Sequence, residues 1–140
     1  MKKRDAIIQM LRNLQADNIE ATKKFVDEII DLIDTDVLKF IKVFSKEIKT
    51  VNIDEYNKFE ELNVPKKEKI KLGKNKLYRY EYRRSNKNIK CIFVLEREDG
   101  KRILLKAFQE DGDKTKGDDN YDTNIQLALK YYFEGGVKDE

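Results

Sequence analysis

The sequence predicts an α+β fold in a single domain, residues 1–140, with N-terminal helices packed on a small antiparallel β-meander and a C-terminal helix. Three observations predict it. Apolar residues recur at helical spacing through residues 1–63, alternate strictly with charged ones over Tyr78–Arg83, and return to a helical stripe after a polar loop. The division is therefore 1–63 helical, 64–110 antiparallel sheet and 122–134 C-terminal helix. At 140 residues and 39% hydrophobic, the chain can build one core but not two domains.

Ile7, Met10, Leu11 and Leu14 mark one face of a first helix. Asp17 with Glu20 resembles a capping box and opens a second helix to about Ile33, with Ile19, Val26, Ile29, Ile30 and Ile33 as its stripe. Thr35 is read as the N-cap of a third, whose face is Val37, Ile41, Phe44 and Ile48. So short a break favours an antiparallel hairpin of the second and third helices. Tyr56, Phe59 and Leu62 suggest one more helical segment, ended by Asn63 and Pro65, and no strand reads out before this point.

The period then becomes two. Tyr78, Tyr80 and Tyr82 fall on one side of a strand and Arg79, Glu81 and Arg83 on the other. Residues 84–88 form a turn, and Ile89 to Glu96 is a second strand with Cys91, Phe93 and Leu95 facing away from Lys90, Ile92 and Val94. Asp99-Gly100 signals the next hairpin, followed by a third strand from Arg102 to Phe108. A polar loop from Gln109 to Asn120 leads to Thr123, read as the cap of a last helix with Ile125, Leu127, Leu129 and Tyr132, ended by Gly135-Gly136.

Composition removes whole classes of chemistry. Histidine is absent and Cys91 is the single cysteine, which rules out an intrachain disulfide, a cysteine-cluster metal site, and Ser-His-Asp or Cys-His catalysis. No apolar run approaches a membrane span, and Arg12 comes too early for a secretory leader, so a cytoplasmic protein is expected. The net charge of +3 conceals a segregation. Residues 1–63 stand at −2, residues 64–106 at +10 (15 basic, 5 acidic), and residues 107–140 at −5. Such a basic block either contacts a polyanion or serves solubility. The three tyrosines could stack bases, although alternating tyrosines more often face a core. Cys91 reads as a buried apolar-face residue.

Several helices, a three-stranded meander and a terminal helix follow the order of the RelE/ParE superfamily of bacterial toxins. Lys76-Leu77-Tyr78-Arg79-Tyr80-Glu81-Tyr82-Arg83, then Asn88-Ile89-Lys90-Cys91-Ile92-Phe93-Val94-Leu95, resembles its paired central strands. Ile103-Leu104-Leu105-Lys106-Ala107-Phe108 is similar to its last strand, most of all in the HigB-like branch, where a Lys-Thr-Lys-type loop follows as Lys114-Thr115-Lys116 does here. The likeness runs from Lys76 to Tyr132 and is one of pattern more than of invariant motif.

The resemblance implies a type II toxin of a toxin–antitoxin pair: a ribosome-dependent mRNA endonuclease that uses no metal or other cofactor. Its partners would be the ribosome with its mRNA and a cognate antitoxin, expected to be a helix-turn-helix protein. By position Arg79, Lys90, Tyr121 and Glu81 would be the catalytic group, and Lys76, Arg83, Lys106, Lys114 and Lys116 would hold RNA. Lys90 is expected beside Arg79 across the hairpin. Arg79 and Arg83 flank Glu81 and should hold it ionised, so Lys90 is expected to matter more for proton transfer. Glu81 stands where the RelE type has a second lysine, and 109–113 is acidic where the family is usually basic. Those two features favour an alternative of another class, a non-catalytic binding protein on the same fold: a gyrase poison of the ParE kind, or a phage or mobile-element protein that binds a partner.

Overall fold

The computed structural model describes residues 2–85, 88–110 and 119–135. The chain is α+β. Helix α1 (Lys3–Gln15) leads to strand β1 (Ile19–Ala21), helices α2 (Lys23–Leu32) and α3 (Val37–Glu47), and strand β2 (Phe59–Glu61). Helix α4 (Lys66–Leu72), strands β3 (Lys76–Ser85), β4 (Asn88–Glu96) and β5 (Arg102–Glu110), and helix α5 (Asp119–Lys130) follow. The meander is as expected, with Gly100 at φ 91° in the turn between β4 and β5. The sheet is larger than expected. Its order is β1-β5-β4-β3-β2, with β1 parallel to β5 and every other pair antiparallel.

Several expectations for the first half are corrected. No helix opens at Asp17, because Asn18 takes a left-handed conformation (φ 63°) and turns the chain into β1. The cap of α2 is Thr22 instead, whose hydroxyl oxygen accepts from the Phe25 N–H at 3.1 Å. Thr35 does not cap α3. The residue at that end is Asp36, also left-handed (φ 55°), with no side-chain cap. Helix α3 packs on α1 while α2 lies along β5, so the two form no hairpin. Tyr56, Phe59 and Leu62 are not helical either: a 3₁₀ turn spans Ile53–Glu55, and β2 follows. Helix α4 carries no apolar stripe that the sequence could show, since Ile70 and Leu72 are its only apolar residues. Finally, α5 begins at Asp119, ahead of Thr123, and buries Ala128 while Leu127 turns outward.

The sheet divides two cores. Tyr78, Tyr80, Tyr82, Ile92 and Val94 face α1, α2 and α3, among Ile7, Leu14, Phe25, Phe40 and Phe44. The ring of Tyr82 meets Phe40 edge-on at 5.0 Å, and that of Tyr80 meets Phe44 at 5.2 Å. The tyrosines are core residues, although their hydroxyls stay useful: Tyr78 donates to Asp54 and Tyr80 to Glu47. On the other face, Leu77, Phe93, Leu95, Ile103 and Leu105 pack under Leu72 of α4 and Ile125, Ala128 and Leu129 of α5.

The two edges are treated differently. Beside β5 the chain supplies side chains where β1 stops. Thr22 donates to the Leu105 carbonyl at 2.8 Å, next to a bulge in β5, and Glu28 accepts the Ala107 N–H at 3.0 Å. The opposite edge is β2, only three residues long, with Glu60 and Glu61 exposed.

Candidate functional site

Strand β3 carries the candidate site because its odd residues point to the face opposite the tyrosines. Arg79 pairs with Phe93 in β4 and with Glu60 in β2, and Glu81 pairs with Cys91. The Arg79 guanidinium is 5% exposed and reaches Glu110 at 2.6 Å and Glu81 at 2.9 Å. Arg83 donates through Nε to the other oxygen of Glu81 at 2.8 Å. An open groove of about 500 Å³ runs alongside, lined by Asn57, Lys58, Glu60, Arg79 and Glu81. The cluster therefore holds a half-buried carboxylate gripped by two guanidiniums, with a second carboxylate behind the inner one.

Electrostatics fix the charge state. Burial pushes the Glu81 carboxyl up, but hydrogen bonds from Arg83 and Arg79 outweigh it and hold it below the usual carboxylate range. Cys91 lies beneath, fully buried, and its thiol is pushed up to about 12, chiefly by that burial. It is no nucleophile at neutral pH. Chemically, the arrangement offers an ionised acceptor for a proton beside cations able to meet a phosphate.

The structure does not bring all the expected residues together. Lys90 pairs with Tyr82, and therefore projects from the opposite face of the sheet to Arg79. It is 9% exposed and donates to Gln109. The expectation that Lys90 stands beside Arg79 is thus corrected: neighbours across a hairpin share a face only when they are in register. Lys106 is buried at the β5 edge, 2.7 Å from Glu28, with its ammonium 5.3 Å from the Tyr131 ring centre. Lys76 is exposed at the start of β3. Tyr121 falls in the first turns of α5, and its side chain lies outside the described residues. Lys114, Lys116 and the acidic stretch 111–113 lie outside them too, as do the centre of the first hairpin turn and Gly136.

The sequence places Glu110 in the polar loop after the third strand, whereas β5 runs through it and alternation from Phe108 sets it on the face of Arg79. Glu28 carried no local signal, since its partners are 78 and 79 residues away in sequence. Arg102, also buried, joins Glu96 to the carbonyls of Ile48 and Thr50, and so closes the C-terminal end of α3.

No family model matches the chain, and neither a curated protein nor a solved structure is similar enough to match. The assignment of the site accordingly rests on its geometry. Among the described residues, no group of three or more potential ligands could hold a metal ion, and no helix is long and apolar enough to cross a membrane.

Proposed function

We propose that the chain is the toxin of a type II toxin–antitoxin pair, a metal-independent endoribonuclease that acts on translated mRNA in the cytoplasm and is neutralised by an acidic antitoxin. The observation that supports this reading is Glu81, ionised and held between Arg79 and Arg83 at an open groove. In the reaction Glu81 takes the proton of a ribose 2′-hydroxyl. The 2′-oxygen bonds to the neighbouring phosphorus and the bond to the 5′-oxygen breaks, leaving a 2′,3′-cyclic phosphate. The departing 5′-oxygen takes a proton from water and becomes a 5′-hydroxyl, and Glu81 returns its own proton to solvent. Arg83, the exposed guanidinium, meets the charge that builds on phosphorus. The proton-transfer role passes from Lys90 to Glu81, because Lys90 is on the far face.

Induced expression without an antitoxin should arrest growth and yield ribosome-phased cuts with cyclic-phosphate ends. Glu81→Gln should lower cutting by about 10²-fold or more, and Lys90→Gln should leave it unchanged. Harmless expression of the wild type would sink the toxin reading, and full activity of Glu81→Gln would sink the site.

One observation favours the second reading, a non-catalytic partner-binding protein. Arg79 is already bridged by Glu81 and Glu110, so its charge is largely spent within the molecule. Double-strand DNA breaks with intact mRNA would point to gyrase. Arrest-free binding to a partner protein would point to a mobile-element role.

A further inference from the structure

Ten of the fifteen basic residues in the block 64–106 fall into two contrasting groups. Arg79, Lys90, Arg102 and Lys106 are buried and engaged with acceptors of the same molecule. Lys66, Lys67, Lys69, Lys71, Lys74 and Lys76 are all exposed, on α4, the turn that follows and the first residue of β3, with Glu68 as the only acid among them. Of these six lysines, among the described residues, only Lys74 forms an ion pair, a long one of 3.9 Å to the exposed Glu98. Gly73, at φ 63°, ends the helix and carries the chain into β3.

The distribution around α4 selects the kind of anion. At 100° per residue, Lys69, Lys66, Lys67 and Lys71 fan over about 200° of the helix, while Leu72 and Glu68 occupy the remainder. Leu72 anchors the helix in the second core, and Ile70, 76% exposed, sits in the middle of the fan. A docked helix or strand would touch one narrow stripe of so convex a surface. A flexible single strand can drape across it and neutralise most of the ammoniums. All the cations here are lysines, and no aromatic ring lies between Pro65 and Leu77, so nothing in the ridge reads base identity.

We infer that the lysine ridge of α4 and its following turn is a sequence-independent docking surface for the phosphate backbone of single-stranded RNA. The choice of RNA rests on the nuclease reading above, but docking and cutting are separate events at separate side chains and can be measured apart.

The test uses the full chain without ribosomes. Binding of a fluorescent oligouridylate of about 20 nucleotides is followed by anisotropy over a salt series, with polyglutamate of matched charge as competitor. Affinity should fall steeply with salt. The variant Lys66→Gln/Lys67→Gln/Lys69→Gln/Lys71→Gln should bind at least about tenfold more weakly near 0.1 M salt, with a log–log slope shallower by about 3. Its thermal unfolding should match the wild type, since all four side chains are exposed. The control Lys39→Gln/Lys42→Gln/Lys46→Gln, from exposed lysines of α3, should bind like the wild type. Unchanged affinity in the ridge variant overturns the inference. So does polyglutamate that competes as well as RNA, which would make the ridge a seat for an acidic chain. Ridge-dependent RNA binding by a chain that cuts no message would leave the inference standing and remove the nuclease reading.

Discussion

Replacing Arg79 with methionine would leave Glu81 and Glu110 facing one another with no cation between them. Breaking a buried pair by removing one partner costs about 3–5 kcal/mol, and the half-buried position of Glu81 sets the expectation here near the lower figure. Adding Glu81→Gln and Glu110→Gln should recover most of that loss, which urea unfolding would measure. Recovery would show that Arg79 serves the fold chiefly as a counter-ion. Titration adds a second expectation at this scale. Burial raises the Glu47 carboxyl, but hydrogen bonds from Tyr56, Tyr80 and Lys58 bring it below its unfolded value of 4.5. Glu81 behaves alike. A depressed carboxyl contributes stability above its unfolded pKa and loses it as pH falls through the folded one. The raised groups act with opposite sign. Burial raises Cys91 from 9.0 to about 12 and is also the largest cause for Tyr78 and Tyr80, while the Glu47 hydrogen bond is the largest for Tyr56. Their contribution is complete below 9.0 for the thiol and 10.0 for the phenols, and is lost as pH rises further. Unfolding midpoints should therefore form a plateau between about pH 5 and 9 and fall on both sides, with a gentler acid limb in Glu47→Gln. A midpoint that climbs steadily through neutral pH would contradict this.

At the scale of elements, Thr22 joins three things: the end of β1, the cap of α2 and the bulge in β5. Thr22→Val keeps the shape but removes the cap and leaves the Leu105 carbonyl unserved, a loss of about 2 kcal/mol. Thr22→Ser, which keeps the hydroxyl, should lose much less. Equal unfolding midpoints for the two variants would refute this role. Length decides which elements were legible in the sequence. The meander shows a period-two signal in β3 and long β-rich runs of nine residues in β4 and β5, and it closes on Asp99-Gly100, so its three strands are readable in the sequence. Strands β1 and β2 have three residues each, too few for any alternation to stand out, and the pairing that creates β1 comes from Arg102–Leu104, far along the chain. Asp17 and Glu20 have the chemistry of a capping box, and only the left-handed turn at Asn18 removes them from it. The site was half legible for a similar reason. Alternation along β3 set Arg79, Glu81 and Arg83 together, whereas the relation of Lys90 to them depends on a register between strands that spacing within one strand does not contain.

At the scale of the whole molecule, both cores share one sheet, so neither helical layer can come away without exposing the face the other strands depend on. Secondary-structure loss followed by circular dichroism and tyrosine fluorescence should coincide in one transition. Separate midpoints would indicate that the α5 layer detaches first. The same sheet ends in two unlike margins, one served by Thr22 and Glu28 and the other by the short strand β2 with its exposed glutamates. The second margin bears on the protein as a colloid. Its row of backbone donors and acceptors is a template on which a second molecule could add a strand, and each such addition presents a fresh template. Glu60 and Glu61 set like charges against each other wherever two such margins meet, so concentrated solutions should remain clear. In Glu60→Val/Glu61→Val the segment from Phe59 to Val64 becomes almost wholly apolar, and incubation should produce thioflavin-positive fibrils that the parent chain does not form.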